Sequence, residues 1–156
     1  MLARVLQSFA DLFTHPTFWV TSLAWLSADL VKVALLYFQH GVVDWRRFFG
    51  TGGMPSSHTA FVTGFTTCVG LSEGFNSPIF GLALAFSLLT AVDACGLRRA
   101  AGMQAEVLNK MVAELQRGKR GKLPRLRETL GHTVGEVVAG ACIGAGVAFM
   151  LYPAHP

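Results

Sequence analysis

Four small sets of residues in this chain carry chemistry more readily than packing. They are Pro55-Ser56-Ser57-His58, Asp93 with Arg98 and Arg99, Arg127 with His132 and Glu136, and Asp29 with Lys32. Phosphoryl transfer is the reaction that fits them. A phosphate needs forked cationic donors and main-chain N–H groups around its oxygens, which arginines and a glycine-bordered helix start provide. A histidine attacks phosphorus when a carboxylate holds its other ring nitrogen in the right tautomer. His132 and Glu136 stand at i and i+4, so one helix face would carry both. A second histidine is then wanted to protonate the departing oxygen, and His58 is the other one inside a motif. His15, His40 and His155 read as interface or terminal residues.

Each set also has a plainer reading. Pro55-Ser56-Ser57-His58 can start a helix, with a serine as N-cap. Thr133-Val134-Gly135-Glu136 fits a capping box. Asp29 and Lys32, at i and i+3, can neutralise each other on one helix face. Capping explains neither histidine, however, and it gives Arg98 and Arg99 no role.

The elements that must position these residues are membrane helices. Of the 156 residues, 52% are hydrophobic and 14% charged, and the mean hydropathy of +0.46 is high for a soluble domain. The apolar residues fall in four runs, Trp19–Phe38, Thr59–Leu71, Ile79–Val92 and Val134–Leu151, each of which approaches with its flanks the ~20 residues that cross a bilayer core. The expected spans are 18–39, 56–72, 77–97 and 130–151 in a single integral membrane domain covering 1–156. The second is long enough only if Ser56–His58 belong to it. The amino terminus has amphipathic character and does not resemble a cleavable signal.

If all four runs cross, the 40–55 loop and the long 98–128 connection share one side. Eleven of the thirteen Lys and Arg residues then lie on that side, which the positive-inside rule assigns to the cytoplasm or its equivalent. Within the long connection Met103, Val107, Met111 and Leu115 recur every four residues, with Glu106, Lys110 and Glu114 between them. That pattern suits an amphipathic helix at the membrane interface, or equally one packed on its neighbours, followed by a basic loop. An ionisable group at membrane depth costs on the order of 3 kcal/mol, so four polar sets near the ends of apolar runs call for a common site. Helix alternation brings three of them to one membrane face. Cys68, Cys95 and Cys142 lack metal-ligand spacing and read as small packing residues. The net charge of +4 has no aromatic-basic motif beside it, so a membrane surface or a phosphorylated substrate, and not nucleic acid, is its natural partner.

The PSSH stretch resembles the PSGH motif of the type 2 phosphatidic acid phosphatase superfamily, which also holds bacterial acid phosphatases and vanadium haloperoxidases. The segment from Arg127 through His132 and Glu136 to Gly144 looks like that superfamily's third motif, followed by a small-residue helix. With GGMPSSH, DACGLRRAAGMQAEVLN and LGHTVGEVVAG in order, the chain resembles the divergent membrane branch of the superfamily. The resemblance implies that His132 is the nucleophile forming a phosphohistidine, that Glu136 orients it, and that His58 is first the acid and then the base. It implies that Ser56, Ser57 and Arg127 hold phosphate oxygens, and that neither a metal nor another cofactor is needed. The superfamily's first motif, a lysine followed by an Arg-Pro pair, is not present as such. Lys32, Arg46 or Arg47, or the pair Arg98 and Arg99, are the candidates to replace it, and Asp93 is a further polar site residue.

The expected protein is therefore an all-α, polytopic membrane bundle of about four transmembrane helices plus an interfacial amphipathic helix. Gly140-x-x-x-Gly144 allows close packing of the last helix. The expected function is a metal-independent membrane phosphatase for a lipid phosphate or an isoprenoid (pyro)phosphate, with membrane lipids around it and homodimerisation open. The competing readings are a non-catalytic protein that binds phospholipid head groups or acts as a scaffold, and an ion pathway or metal site built from His58, Asp93, His132 and Glu136.

Overall fold

The computed structural model describes residues 1–41, 53–116 and 124–153, apart from the side chains of 2–5, 8, 9 and 40. Among them six helices are the regular secondary structure: α1 (Leu2–Thr14), α2 (Pro16–His40), α3 (Ser57–Glu73), α4 (Pro78–Cys95), α5 (Leu97–Leu115) and α6 (Val134–Leu151). The helix starts follow from local chemistry. Pro16 and Pro78 take first-turn positions where no N–H is needed, and Ser77 Oγ caps α4 by accepting from the Phe80 N–H at 3.1 Å. At the other end of α2, Gly41 turns the chain out with φ of 68°.

The four expected spans correspond to α2, α3, α4 and α6. Of these, α2, α4 and α6 are long and apolar enough by themselves to cross a membrane. Helix α3, at 17 residues, is shorter and lies between the other three. Its position explains its composition. Enclosed on several sides, it buries small and hydroxyl-bearing residues, among them Thr59, Ala60, Gly64, Thr66, Thr67 and Gly70. Where lipid offers no hydrophobic drive between helices, close backbone approach and interhelical hydrogen bonds hold the bundle. Both are present. Thr66 Oγ1 and Ser87 Oγ lie 2.7 Å apart between α3 and α4, and Ser87 also donates to the Val62 carbonyl at 3.0 Å. On the opposite flank, Gly140 and Gly144 of α6 lie against the carbonyls of Ser56 and Ala60.

The amphipathic helix expected within the 98–128 connection is present, as α5. Helix α5 begins directly after α4 at Gly96, and residues 124–133 run without regular structure up to α6, which therefore starts at 134 and not at 130. The stripe Met103, Val107, Met111 and Leu115 is left exposed, as an interfacial helix requires. The other face of α5 buries Gly102, Ala105 and Asn109. Asn109 grips the returning chain there: its Nδ2 donates to the Leu126 carbonyl and to the Glu128 carboxylate, and its Oδ1 accepts from the Leu126 N–H. Cys68 is fully buried in a cluster with Val20, Ala148 and Tyr152, the packing role its setting suggests.

The glycines of α6 differ in what surrounds them, and this gives a sharp test. A Cβ at Gly144 would collide with the Ala60 carbonyl, whereas one at Gly146 would meet open space. Gly144→Leu should lower stability by at least about 2 kcal/mol, because a forced backbone shift costs that much or more in a packed interior. Gly146→Leu should be nearly neutral, and thermal unfolding of the two detergent-purified variants makes the comparison.

Candidate active site

The site is built at the end of the bundle where α3 and α6 begin and α4 ends. Thr133 caps α6, with its Oγ1 accepting from the Glu136 N–H at 3.3 Å. The Glu136 carboxylate reaches back, and its Oε2 accepts from the Thr133 N–H at 3.1 Å and lies 2.9 Å from His132 Nδ1. One carboxylate oxygen thus closes the capping box and orients the histidine. The two readings of this segment are both satisfied by the same atom. Facing a carboxylate, Nδ1 carries the proton, and in the neutral ring that leaves the lone pair on Nε2.

The backbone of His132 is fixed as well. Its N–H donates to the Ala94 carbonyl at the end of α4 at 3.0 Å, and the side chain is only 7% exposed. Gly131, with φ of 83°, passes so close to the Arg99 backbone that a side chain there would collide with it. Glycine's access to positive φ and its lack of a Cβ are both used.

The Pro-Ser-Ser-His stretch arrives from the other side. Ser56 is the N-cap of α3; it is fully buried, its Oγ accepts from the Thr59 N–H and hydroxyl, and its own N–H donates to the Glu136 carbonyl at 3.0 Å. Ser56 therefore ties the start of α3 to the start of α6. His58, one helical step further, is exposed and shares a cavity of about 50 Å³ with His132, Asp93, Arg98, Thr90 and Gly131. The charges acting on His58 are those of His132, Arg98, Lys32 and Asp29, so each of these groups lies within electrostatic reach of His58.

Lys32 approaches from α2. Its Nζ lies 2.9 Å from Asp29 Oδ1 and 3.5 Å from Ser57 Oγ, and all three residues are more than nine-tenths buried. The i, i+3 pairing read from the sequence is present. It also extends to a residue of the PSSH motif. Arg98 Nε is hydrogen-bonded to Asp93 Oδ2 across the break at Gly96.

The structure thus brings His58, Asp93, Arg98, His132 and Glu136 together, with Lys32 and Ser57 adjoining through α2 and α3. Arg99 and Arg127 are exposed and do not line the cavity. Arg46 and Arg47 lie outside the described residues. Thr90 and Gly131, which sequence reading did not single out, form part of the wall. Gly131 stood next to His132 in plain view; Thr90 carried no signal, being one hydroxyl in an apolar run.

The cavity opens into a larger groove of about 750 Å³. His58, Thr90, Asp93 and Arg98 border both, and the walls of the groove are apolar, with Trp25 from α2, Phe61 from α3 and Phe86 and Leu89 from α4. A polar chamber holding two histidines and an arginine, joined to an apolar groove between membrane helices, has the make-up of a site for an amphiphile with an anionic head.

Residues 13–147 match the family model described as the Divergent PAP2 family, and the chain belongs to that family. The uncharacterized membrane protein YuiD of Bacillus subtilis (strain 168) is 38% identical over 128 residues, covering 75% of this chain and 81% of that protein. No solved structure matches. Together with three helices long and apolar enough to span, this makes the protein a PAP2-related integral membrane protein.

The shared role of Glu136 predicts a double effect. Glu136→Ala should cost about 1 kcal/mol of stability through the lost cap, and it should let the His132 ring populate both neutral tautomers. Nitrogen-15 NMR of histidine-labelled protein in detergent, compared with a His132→Ala assignment control, reads the tautomer directly.

Proposed function

We propose that the protein is a membrane phosphatase that hydrolyses a lipid phosphate or an isoprenoid (pyro)phosphate through a phosphohistidine. The observation that carries this reading is the placement of His58 and His132 on the wall of one cavity, with His132 held by Glu136 and an apolar groove leading away.

The steps follow from the geometry. The Nε2 lone pair of His132 attacks phosphorus, the bond from phosphorus to the lipid oxygen breaks, and the electrons of that bond leave with the oxygen. His58 donates its proton to this oxygen, so the lipid departs as a neutral alcohol, or as a monophosphate when a pyrophosphate is cleaved. His58, now neutral, takes a proton from water, and the resulting hydroxide attacks the phosphohistidine. The bond between Nε2 and phosphorus then breaks, releasing inorganic phosphate and restoring His132. Arg98 supplies donors for the non-bridging oxygens and takes the place of the altered first motif, while Lys32, which does not line the cavity, adds positive charge from its buried place beside Asp29 and Ser57. Asp93 holds Arg98 in the unliganded site, and a phosphate competes with it for the guanidinium. The excess of Lys and Arg on the loops at this end supports a chamber on the cytoplasmic or equivalent face.

A second reading rests on the same placement. Arg99 and Arg127 stay out of the cavity, so fewer cations surround the phosphate than the motifs led one to expect, which favours a protein that binds phospholipid head groups without cleaving them.

Phosphate release from phosphatidate, phosphatidylglycerophosphate and prenyl diphosphates by the detergent-purified protein separates the two. A phosphatase should be inhibited by vanadate and indifferent to chelators. His132→Ala should abolish turnover, and His58→Ala should slow it by about 10²–10⁴-fold, the usual contribution of a proton-transfer group. Lipid retained with no release across the panel would leave the binding reading standing. The Asp93–Arg98 pair adds a further expectation: Asp93→Asn frees the guanidinium, and vanadate should then inhibit at severalfold lower concentration.

A further inference from the structure

The apolar groove that leaves the cavity does not end the crevice between α2 and α4. A separate groove of about 430 Å³ continues toward the other end of the bundle, lined by Thr17 and Phe18 of α2, Phe65 and Val69 of α3 and Ile79 of α4. Phe61 borders both grooves, and its side chain is 44% exposed in the crevice. It stands on the floor helix, facing the gap. Two grooves on the same side of α3 thus have one lining residue in common, the aromatic ring of Phe61.

The lengths give that shared ring a meaning. At 1.5 Å per residue, the stretch of α4 from Asp93 back to Phe86 covers roughly 10 Å, and α3 from Phe61 to Ser72 covers roughly 16 Å. The groove at the site therefore reaches less than halfway into a hydrocarbon core of about 30 Å, whereas the two grooves joined would run through nearly all of it. A chain that stops at the ring stays within one leaflet. One that passes it would have to displace the ring.

We propose that the two grooves form one slot in two compartments for the hydrocarbon chain of the lipid phosphate, and that Phe61 sets the chain length accepted. The location of the head group rests on the phosphatase reading above. The occupant follows from continuity: His58, Thr90, Asp93 and Arg98 border both the polar chamber and the first compartment, so a ligand held by its phosphate in one has its tail in the other. Phe61 is a specificity residue and takes no part in the chemistry.

Trp25, which lines the first compartment, supplies a readout independent of turnover. In full-length protein carrying Trp19→Phe and Trp45→Phe, n-alkyl monophosphates of increasing length, each brominated near the head group, should quench Trp25 fluorescence. Each further buried methylene raises affinity about fourfold, so affinity should climb with chain length and level off where the chain meets Phe61. In Phe61→Ala the plateau should move to longer chains, with a gain of tenfold or more for the longest. In Phe61→Trp it should come at shorter ones, and that opposite shift guards against a mere loss of folding in the first variant. The same plateau in all three proteins, or no quenching by any chain, overturns the proposal. Phosphate release measured on the same samples keeps the two readings apart. A shifting plateau without release retains the slot and removes the phosphatase, and release with a fixed plateau does the reverse.

Discussion

The site exists because α3 and α6 approach each other backbone to backbone. Gly140 lies against the Ser56 carbonyl and Gly144 against that of Ala60, and the Ser56 N–H reaches the Glu136 carbonyl. Any side chain at those two glycines would wedge the helices apart at the level where His58 and His132 must share a wall. In a bilayer no hydrophobic force would push them back, since lipid tails are as apolar as leucine. The small-residue seam is therefore what joins the two motifs into one chamber, and the hydroxyl lock of Thr66 and Ser87 fixes α4 to the same central helix. The end of α4 then holds the His132 backbone through Ala94. Three helices converge on one residue.

The start of α6 shows how few groups this requires. The carboxylate of Glu136 satisfies an N–H at a helix start, as glutamate does in ordinary capping boxes, and the same oxygen holds an imidazole. Structure and chemistry are not separable there. Ser56 illustrates the converse. A serine in a phosphatase-like motif invites a role at phosphate, yet its hydroxyl is buried and taken up by Thr59, and its contribution is to anchor α3. Ser57, beside it, is the one that meets the cation of Lys32.

These details mark the boundary of what could be read from the chain beforehand. The apolar runs were legible because they are local properties, and the serine cap of the PSSH stretch and the Thr133 capping box stand at the starts of α3 and α6. The pair Asp29 with Lys32 was legible because helical spacing alone brings it together. His132 instead meets Glu136 from outside the helix: it precedes the cap Thr133, and the Glu136 carboxylate reaches back to it through the capping box, not along one helix face. What spacing does not contain is the relation between elements. That Lys32 points at Ser57, that Arg98 turns to Asp93 while Arg99 and Arg127 face outward, and that Asn109 clamps the chain at Leu126 and Glu128 all depend on how helices cross. The exposed stripe of α5 was legible from Met103 to Leu115, but its other face, around Gly102 and Asn109, is recognisable only once residues 124–131 lie on it.

The charges of the site share one further property, and it connects folding to function. Lys32 is paired with Asp29 and Arg98 with Asp93, each within five residues in the chain. Each cation brings its own carboxylate on its own or the adjoining element. A helix can then enter the bilayer with little net charge, which lowers a cost of several kcal/mol for an isolated ion at depth. The same arrangement leaves neither Lys32 nor Arg98 without a carboxylate at the mouth of an apolar groove. A phosphate entering it adds negative charge in a place of low dielectric, where the cost is offset only if cations turn from their carboxylates to the ligand. Of the two cations, Lys32 is buried and held on α2, while Arg98 is more than half exposed at a helix junction. Arg98, on the cavity wall, has the freedom to make that exchange, whereas Lys32, buried against Asp29 and absent from that wall, does not.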